Sequence, residues 1–206
     1  MSTQPSPFPT AEQRKADHTA KRDAVLRAAV QMFNEKGFHQ TSLDDVAARL
    51  GVSKPTIYHY LGNKDQVLLE CVKIGLQQLL DAAATSSEAP GTGAERLIAF
   101  LTRYAEINMD DFGRCVTLTS EEALCPASRQ EFRALKRQID TALRGMIEAA
   151  IADGSIAPLD PRMLGFALAG ALNWPARWYD PAGRETAGDL ARQLVTTLSL
   201  GFLPRH

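Results

Sequence analysis

The sequence predicts an all-α fold, and three observations carry that expectation. Apolar residues recur at i, i+3, i+4 and i+7 through most of the chain, as in Leu43, Val46, Ala47 and Leu50. No stretch alternates apolar and polar residues for long enough to make a strand. Helix starts and stops recur between the periodic stretches: Asn63 with Gln66, Asp160 with Pro161, then Gly37, Gly51 and Gly154. The pattern describes a three-helix unit containing a helix-turn-helix, followed by a larger helical bundle.

Residues 1–20 read as a disordered or partly ordered arm, with three prolines in the first ten residues. Arg14, Lys15, Lys21 and Arg22 are either a solvated charge run or an arm that neutralises phosphates or enters a minor groove. A first helix from about Lys21 to Lys36 places Val25, Ala28, Ala29, Met32 and Phe33 on one side. Gly37 stops it, and Phe38 anchors the turn.

Residues 41–64, TSLDDVAARLGVSKPTIYHYLGNK, form two short helices around a tight turn. Thr41 or Ser42 caps the first, Asp44 and Asp45 complement its dipole, and Gly51 ends it. Ser53 caps the second, with Pro55 in its opening turn. Ile57, Tyr60 and Leu61 turn inward, leaving Lys54, Pro55, Thr56, Tyr58 and His59 outward or sideways. A short helix with an apolar root and this outer face suits a DNA major groove. The candidate DNA-contact set is Thr41, Ser42, Ser53, Lys54, Pro55, Thr56, Tyr58, His59 and Lys64. Within it, Lys54 and Thr56 suit base edges, Tyr58 and His59 a phosphate or a thymine methyl group. Thr41, Ser53 and Lys64 lie at helix N-termini that could meet phosphates, although Thr41 and Ser53 also read as plain caps.

A long helix from Asn63 to about Ala84 follows, with Leu68, Cys71, Val72, Gly75, Leu76, Leu79 and Leu80 as its stripe. Residues 85–93 read as a loop. Helices are expected from Ala94 to about Asp110, from Arg114 to Leu124 and from Pro126 to about Asp153. Asp160 and Pro161 start a small-residue helix that Pro175 kinks or interrupts, and a last helix runs from about Ala187 to Phe202. These last two are apolar on more than one face, which suits a subunit interface. The resulting division is an arm over 1–20, a DNA-binding unit over 21–66 and a larger helical unit over 67–206 that carries the expected dimer interface.

The chain has 206 residues and a formal charge of −1, which excludes a generally basic coat protein. From Thr10 to Lys64 nine Lys and Arg face six Asp and Glu, a small local surplus. Cys71, Cys115 and Cys125 lack metal-ligand spacing and read as reduced thiols, a redox link between Cys115 and Cys125 being the other reading. With no signal core at the start and no transmembrane-length apolar run, a cytoplasmic protein is expected. The acidic pairs Asp110-Asp111 and Glu121-Glu122 point apart on a helix, and His18, His39, His59 and His206 show no ligand or nucleophile pattern. Gly91-Thr92-Gly93 lacks the rest of a phosphate loop. No enzyme, no cofactor and no metal are expected.

The run from Ala24 to Val72 closely resembles the N-terminal domain of TetR-family transcriptional repressors. The matching positions include Ala28-Ala29, Phe33, Gly37-Phe38, Thr41-Ser42, Val46-Ala47, Gly51-Val52-Ser53, Ile57-Tyr58, Lys64 and Leu68-Leu69. The resemblance implies a homodimer through the last two helices, a palindromic operator and release by a small molecule inside the C-terminal bundle. Candidate ligand-binding residues are Tyr104, Asn108, Phe112, Arg114, Leu118, Asn173, Trp174, Arg177 and Trp178. The cluster NWPARWYDP is either a packed helix end or interface, or an aromatic wall with a cationic handle for an apolar acidic or thioester ligand. The tail from Gly170 to Phe202 loosely resembles repressors of lipid or sterol breakdown that sense acyl-CoA. A helical small-molecule-sensing dimer without productive DNA binding is the alternative to the regulator, with a small helical enzyme as a remote third reading.

Overall fold

A computed structural model of the chain describes residues 10–200. It contains nine α-helices and no strand among the described residues. They are α1 (Ala11–Lys36), α2 (Leu43–Leu50), α3 (Lys54–Leu61), α4 (Lys64–Ser87), α5 (Gly93–Met109), α6 (Asp111–Leu118), α7 (Pro126–Ala152), α8 (Pro161–Asn173) and α9 (Ala187–Ser199). Short 3-10 turns sit at Glu121–Ala123 and Trp174–Arg177.

The first helix differs most from expectation. It starts at Ala11, not near Lys21, because Thr10 and Gln13 form a capping box there. Residues 11–20, expected as part of an arm, are therefore helical. Residues 1–9 of that arm, and Gly201 and Phe202 of the expected last helix, lie outside the described residues. The expected helix from Arg114 to Leu124 is instead α6 followed by a 3-10 turn. Asp110 starts α6 early, its carboxylate accepting from the Gly113 amide. The interruption at Pro175 is a 3-10 turn directly after α8.

In the N-terminal unit, α1, α2 and α3 converge on a small core of Leu26, Ala29, Val46 and Ile57, none of them more than marginally exposed. Arg49 donates to both carboxylate oxygens of Glu35, at 2.8 and 3.0 Å, and ties α2 to α1. The α2–α3 turn passes through Gly51 with φ 65° and ψ 28°, a left-handed position that glycine enters without strain. The start of α4 closes the same core: Leu68 is buried, and the Cys71 thiol lies 3.9 Å from the Leu26 carbonyl.

The bundle packs α5 and α7 against α4, with α8 and α9 on the outside. Phe100, Leu101, Phe132 and Ile147 are buried at its centre. Helix α6 lies between the two units, against α1 on one side and α4 on the other. Its approach to α4 depends on Gly75, where a Cβ would sit 2.6 Å from the Phe112 carbonyl oxygen. Gln31 and Asn34 of α1 donate to the Asp111 side chain and carbonyl at 2.9 and 2.8 Å. No described helix is long and apolar enough to cross a membrane.

Candidate nucleic-acid interface and ligand cavity

Helix α3 is rooted by Ile57 and Leu61, both buried, with Tyr60 packed partly beneath. Residues of this helix spaced away from that root stand outside. Lys54, Pro55 and His59 are exposed, Tyr58 is 51% exposed, and Thr56 is half-buried. Lys54 Nζ pairs with Asp44 of α2 at 2.5 Å, and this hydrogen bond raises its pKa. The ammonium is thus aimed across the turn, on a surface pair that a stronger anion could displace. Ser53 starts α3, but its hydroxyl lies 2.8 Å from that of Thr56 and caps no amide.

The expected phosphate contacts divide. Ser42, not Thr41, is the cap of α2: its hydroxyl accepts from the Asp45 amide, and the Asp45 carboxylate accepts in return from the Ser42 amide. The Ser42 hydroxyl also donates to that carboxylate at 2.6 Å, and it and the Ser42 amide hold the Asp45 carboxyl below its usual range. Thr41 is 1% exposed, and its hydroxyl points to the Met32 and Gly37 carbonyls at 3.2 and 3.0 Å. Its hydroxyl is used inside the core, so it neither caps α2 nor reaches the surface. Lys64 lies 4.3 Å above the Phe38 ring and 3.5 Å from the His39 carbonyl. Partial burial lowers its pKa, so it joins α4 to the α1–α2 turn while remaining partly exposed.

A cavity of about 240 Å³ opens between α4, α5, α6, α7 and α8. Of the nine candidate ligand residues, Tyr104, Asn108 and Asn173 line it. Tyr104 OH and Asn108 Nδ2 both donate to Asn173 Oδ1 at 2.9 Å, and Thr117 donates to Asn108 Oδ1 at 3.4 Å. Burial pushes the Tyr104 phenol up, keeping it a neutral donor. Asn173 Nδ2 has no partner among the described residues, so a donor remains available at the cavity's polar end.

The other six candidates do not line this cavity. Phe112 is buried, with the Arg27 guanidinium of α1 5.6 Å from its ring. Arg114 is half-buried, with an Nε that has no partner among the described residues. Leu118 borders a separate hollow beside Phe33 and Phe38. Trp174, Arg177 and Trp178 face outward, Trp174 being 61% exposed, because the 3-10 turn buries Pro175 and Ala176 instead. The aromatic wall is therefore an outer surface. The walls that sequence reasoning missed are Leu76 and Leu79 of α4, Val116 of α6 and Thr119 just after it, Ile139 and Leu143 of α7, and Phe166 and Ala169 of α8. Lys136 and Asp140 add charges at its edge, and their i, i+4 spacing beside Ile139 was the available signal.

Burial pushes the Cys115 thiol up to about 11 and the Cys71 thiol well above its usual value, so both are inert at neutral pH, whereas Cys125 is exposed. No cluster of metal-ligating side chains occurs among the described residues.

Comparison with known proteins agrees with this two-part layout. Residues 25–71 match the family described as bacterial regulatory proteins, tetR family, and residues 90–202 match the tetracyclin repressor-like C-terminal domain. The HTH-type transcriptional repressor KstR2 of Rhodococcus jostii is 24% identical over 91% of this chain and 94% of its own length. The TetR-family regulator PfmR of Thermus thermophilus superposes with a TM-score of 0.76 at 28% identity, covering 84% of this chain and 96% of its own. AibR, solved with isovaleryl coenzyme A and operator DNA, has the same fold, with a TM-score of 0.75 at 23% identity over 86% and 97% of the two chains. The chain belongs to the TetR family of ligand-responsive, DNA-binding transcriptional regulators.

Proposed function

We propose that the chain is a repressor that grips a near-palindromic operator as a homodimer and is released when a small apolar, acyl-type effector fills the bundle cavity. The carrying observation is α3, whose buried root leaves Lys54, Pro55, Tyr58 and His59 outward from a well-fixed base. Lys54 and Thr56 would meet base edges, and Ser42, Ser53, Tyr58, His59 and Lys64 would hold phosphates or a thymine methyl group. Residues 21–66 would act as the reading unit and 67–206 as the sensing and pairing unit.

Dimerisation is supported by Met163 and Phe166 on α8 and by Trp174 just after it, all more than half exposed in the single chain. Large apolar side chains gathered on one outer helix favour a second copy as partner. A two-fold axis would then set two α3 helices about one DNA turn apart.

The cavity supports the effector class. Its walls are mostly aliphatic, and the polar end offers Asn173 Nδ2 and nearby Lys136 to a carbonyl or carboxylate. AibR was solved with a coenzyme A thioester, a ligand of that chemistry. Val116 and Thr117 of α6 and Leu76 and Leu79 of α4 border the guest, and Asp111 of α6 is held by α1. A guest that displaces α6 would shift α1 and spread the reading helices. It must favour the spread state by about 3–5 kcal/mol to empty the operator.

The test is footprinting on DNA flanking the chain's own gene, with and without short-chain acyl-CoA. Protection of a near-palindrome that fades as acyl-CoA is added is the expected result. A chain that protects nothing over random competitor overturns the reading.

A further inference from the structure

We propose that the helical extension of α1 is a second DNA-binding element, a basic stripe that holds the phosphate backbone beside the site read by α3. The proposal rests on the DNA-binding reading above and extends it to residues outside the helix-turn-helix.

Residues 11–21 are helical, yet every one of them is exposed. Such a stretch, about 16 Å long, projects past the core and contributes no apolar face to it. Its helical state comes from the Thr10–Gln13 capping box and from Ala11, Ala16 and Ala20, not from packing. Its charges are nonetheless sorted. At about 100° per residue, Arg14, Lys15, Lys21 and Arg22 lie within about 60° of His18, whereas Glu12, Asp17 and Asp23 lie about 100° or more away. A merely solubilising helix has no need to segregate its signs in this way.

His18, at the centre of the basic side, points the stripe. Its ring packs 4.8 Å from Tyr60 and 6.3 Å from His59, both on the reading helix. The basic side is thus continuous with the outer face of α3. Arg22 is engaged by Glu70 at 2.7 Å, which pins the base of the extension to α4. Arg14, Lys15 and Lys21 have no ion-pair partner among the described residues. Three cations on one side of this helix, unpaired among the described residues and adjoining the reading helix, complement a polyanion that runs on past the read bases. In this arrangement Arg14, Lys15 and Lys21 neutralise phosphates, and His18 is a positioning residue.

The experiment uses the full chain and duplexes selected by it from a random pool, each made with short flanks and with flanks longer by about five base pairs. Wild type should bind the long-flank duplex more tightly. The combined variant Arg14→Ala, Lys15→Ala, Lys21→Ala should lose that gain, weaken by roughly tenfold or more, and show a salt slope shallower by roughly 3 per subunit. It should keep its preference for the selected sequence and its thermal midpoint, since alanine maintains the helix. The double variant Arg14→Lys, Lys21→Arg should restore the slope, and His18→Ala should fall between. A triple variant with the wild-type slope and flank dependence overturns the proposal while leaving the role of α3 intact. A wild-type chain that selects no duplex overturns both.

Discussion

At the α2–α3 end, polar side chains are held outward by partners on the surface: Lys54 by Asp44, Arg49 by Glu35, Ser53 by Thr56. Inside the bundle, the buried Tyr104 and Asn108 share half-buried Asn173 as acceptor beside a cavity. The two arrangements answer different demands. A surface pair in high dielectric is weak and can be exchanged for a DNA phosphate or base at little cost to the fold. That trio is expensive to break, because the buried Tyr104 and Asn108 would lose their partner without regaining water. If the proposed sites hold, reading DNA uses side chains whose loss leaves the chain folded, whereas sensing uses side chains on which folding also depends.

Helix α6 is where the two regions meet, and the largest effect is expected there. Gly75→Val would drive its side chain against the Phe112 carbonyl, 2.6 Å from the position of a Cβ, and against Val116. Overpacking of this kind costs about 2–3 kcal/mol, seen as a lower urea midpoint with an unchanged slope. Gly145 on α7, with nothing within 4 Å of its added Cβ, is the contrast: Gly145→Ala should be neutral or stabilising by up to about 1 kcal/mol.

Next comes Asn173→Leu, which leaves the Tyr104 hydroxyl and the Asn108 amide without their shared acceptor. A loss of about 1–3 kcal/mol is expected. Tyr104→Phe should cost less alone and add little to Asn173→Leu, since both remove the same hydrogen bond. Simple additivity in that cycle would show that the trio does not act as a unit. On the opposite region, Lys54→Ala should leave the unfolding midpoint unchanged and reduce affinity for the preferred duplex roughly tenfold, with relaxed sequence preference. A large stability loss from Lys54→Ala would erase the distinction between the two regions.

The same contrast explains what could be read in advance. The helix-turn-helix is written in short-range signals: the Ser42–Asp45 box, Gly51 in a left-handed turn, Pro55 in the first turn of α3. Each acts within four residues, so spacing alone reveals it. Thr41 shows the limit, because its two carbonyl acceptors, Met32 and Gly37, come from the end of α1. The cavity joins Leu76, Tyr104, Thr117, Lys136 and Asn173 across five helices, and no local pattern announces that they meet. The Trp174–Trp178 cluster was conspicuous by composition, yet the buried edge of its 3-10 turn is Pro175 and Ala176. The start of α1 was missed for a different reason: its cap, Thr10 with Gln13, precedes a stretch with no apolar period to follow.

Thr41→Val is a smaller, sharper test of the boundary between cap and contact. It removes the hydroxyl while keeping the shape, at a cost of about 1 kcal/mol. Below its midpoint the variant should bind the preferred duplex as wild type does. A selective loss of DNA affinity would return Thr41 to the interface.

The smallest effect concerns the other seam between the regions, at the start of α4. Asp65 accepts from the Cys125 amide and the Ser128 hydroxyl, both at 2.9 Å, tying α4 to the first turn of α7. Burial alone would raise its pKa, but these donors outweigh burial and hold the carboxyl below the usual range. A carboxyl with a lowered folded pKa contributes stability above its unfolded pKa of about 3.9, and that contribution disappears as pH falls through the folded value. Wild type should therefore exceed Asp65→Asn in urea midpoint at pH 6, and the gap should close below about pH 4. A gap that stays constant across that range would mean that the donors at Cys125 and Ser128 do not prefer the charged form. The seam would then be held by the packing of Val67 and Leu68, both buried.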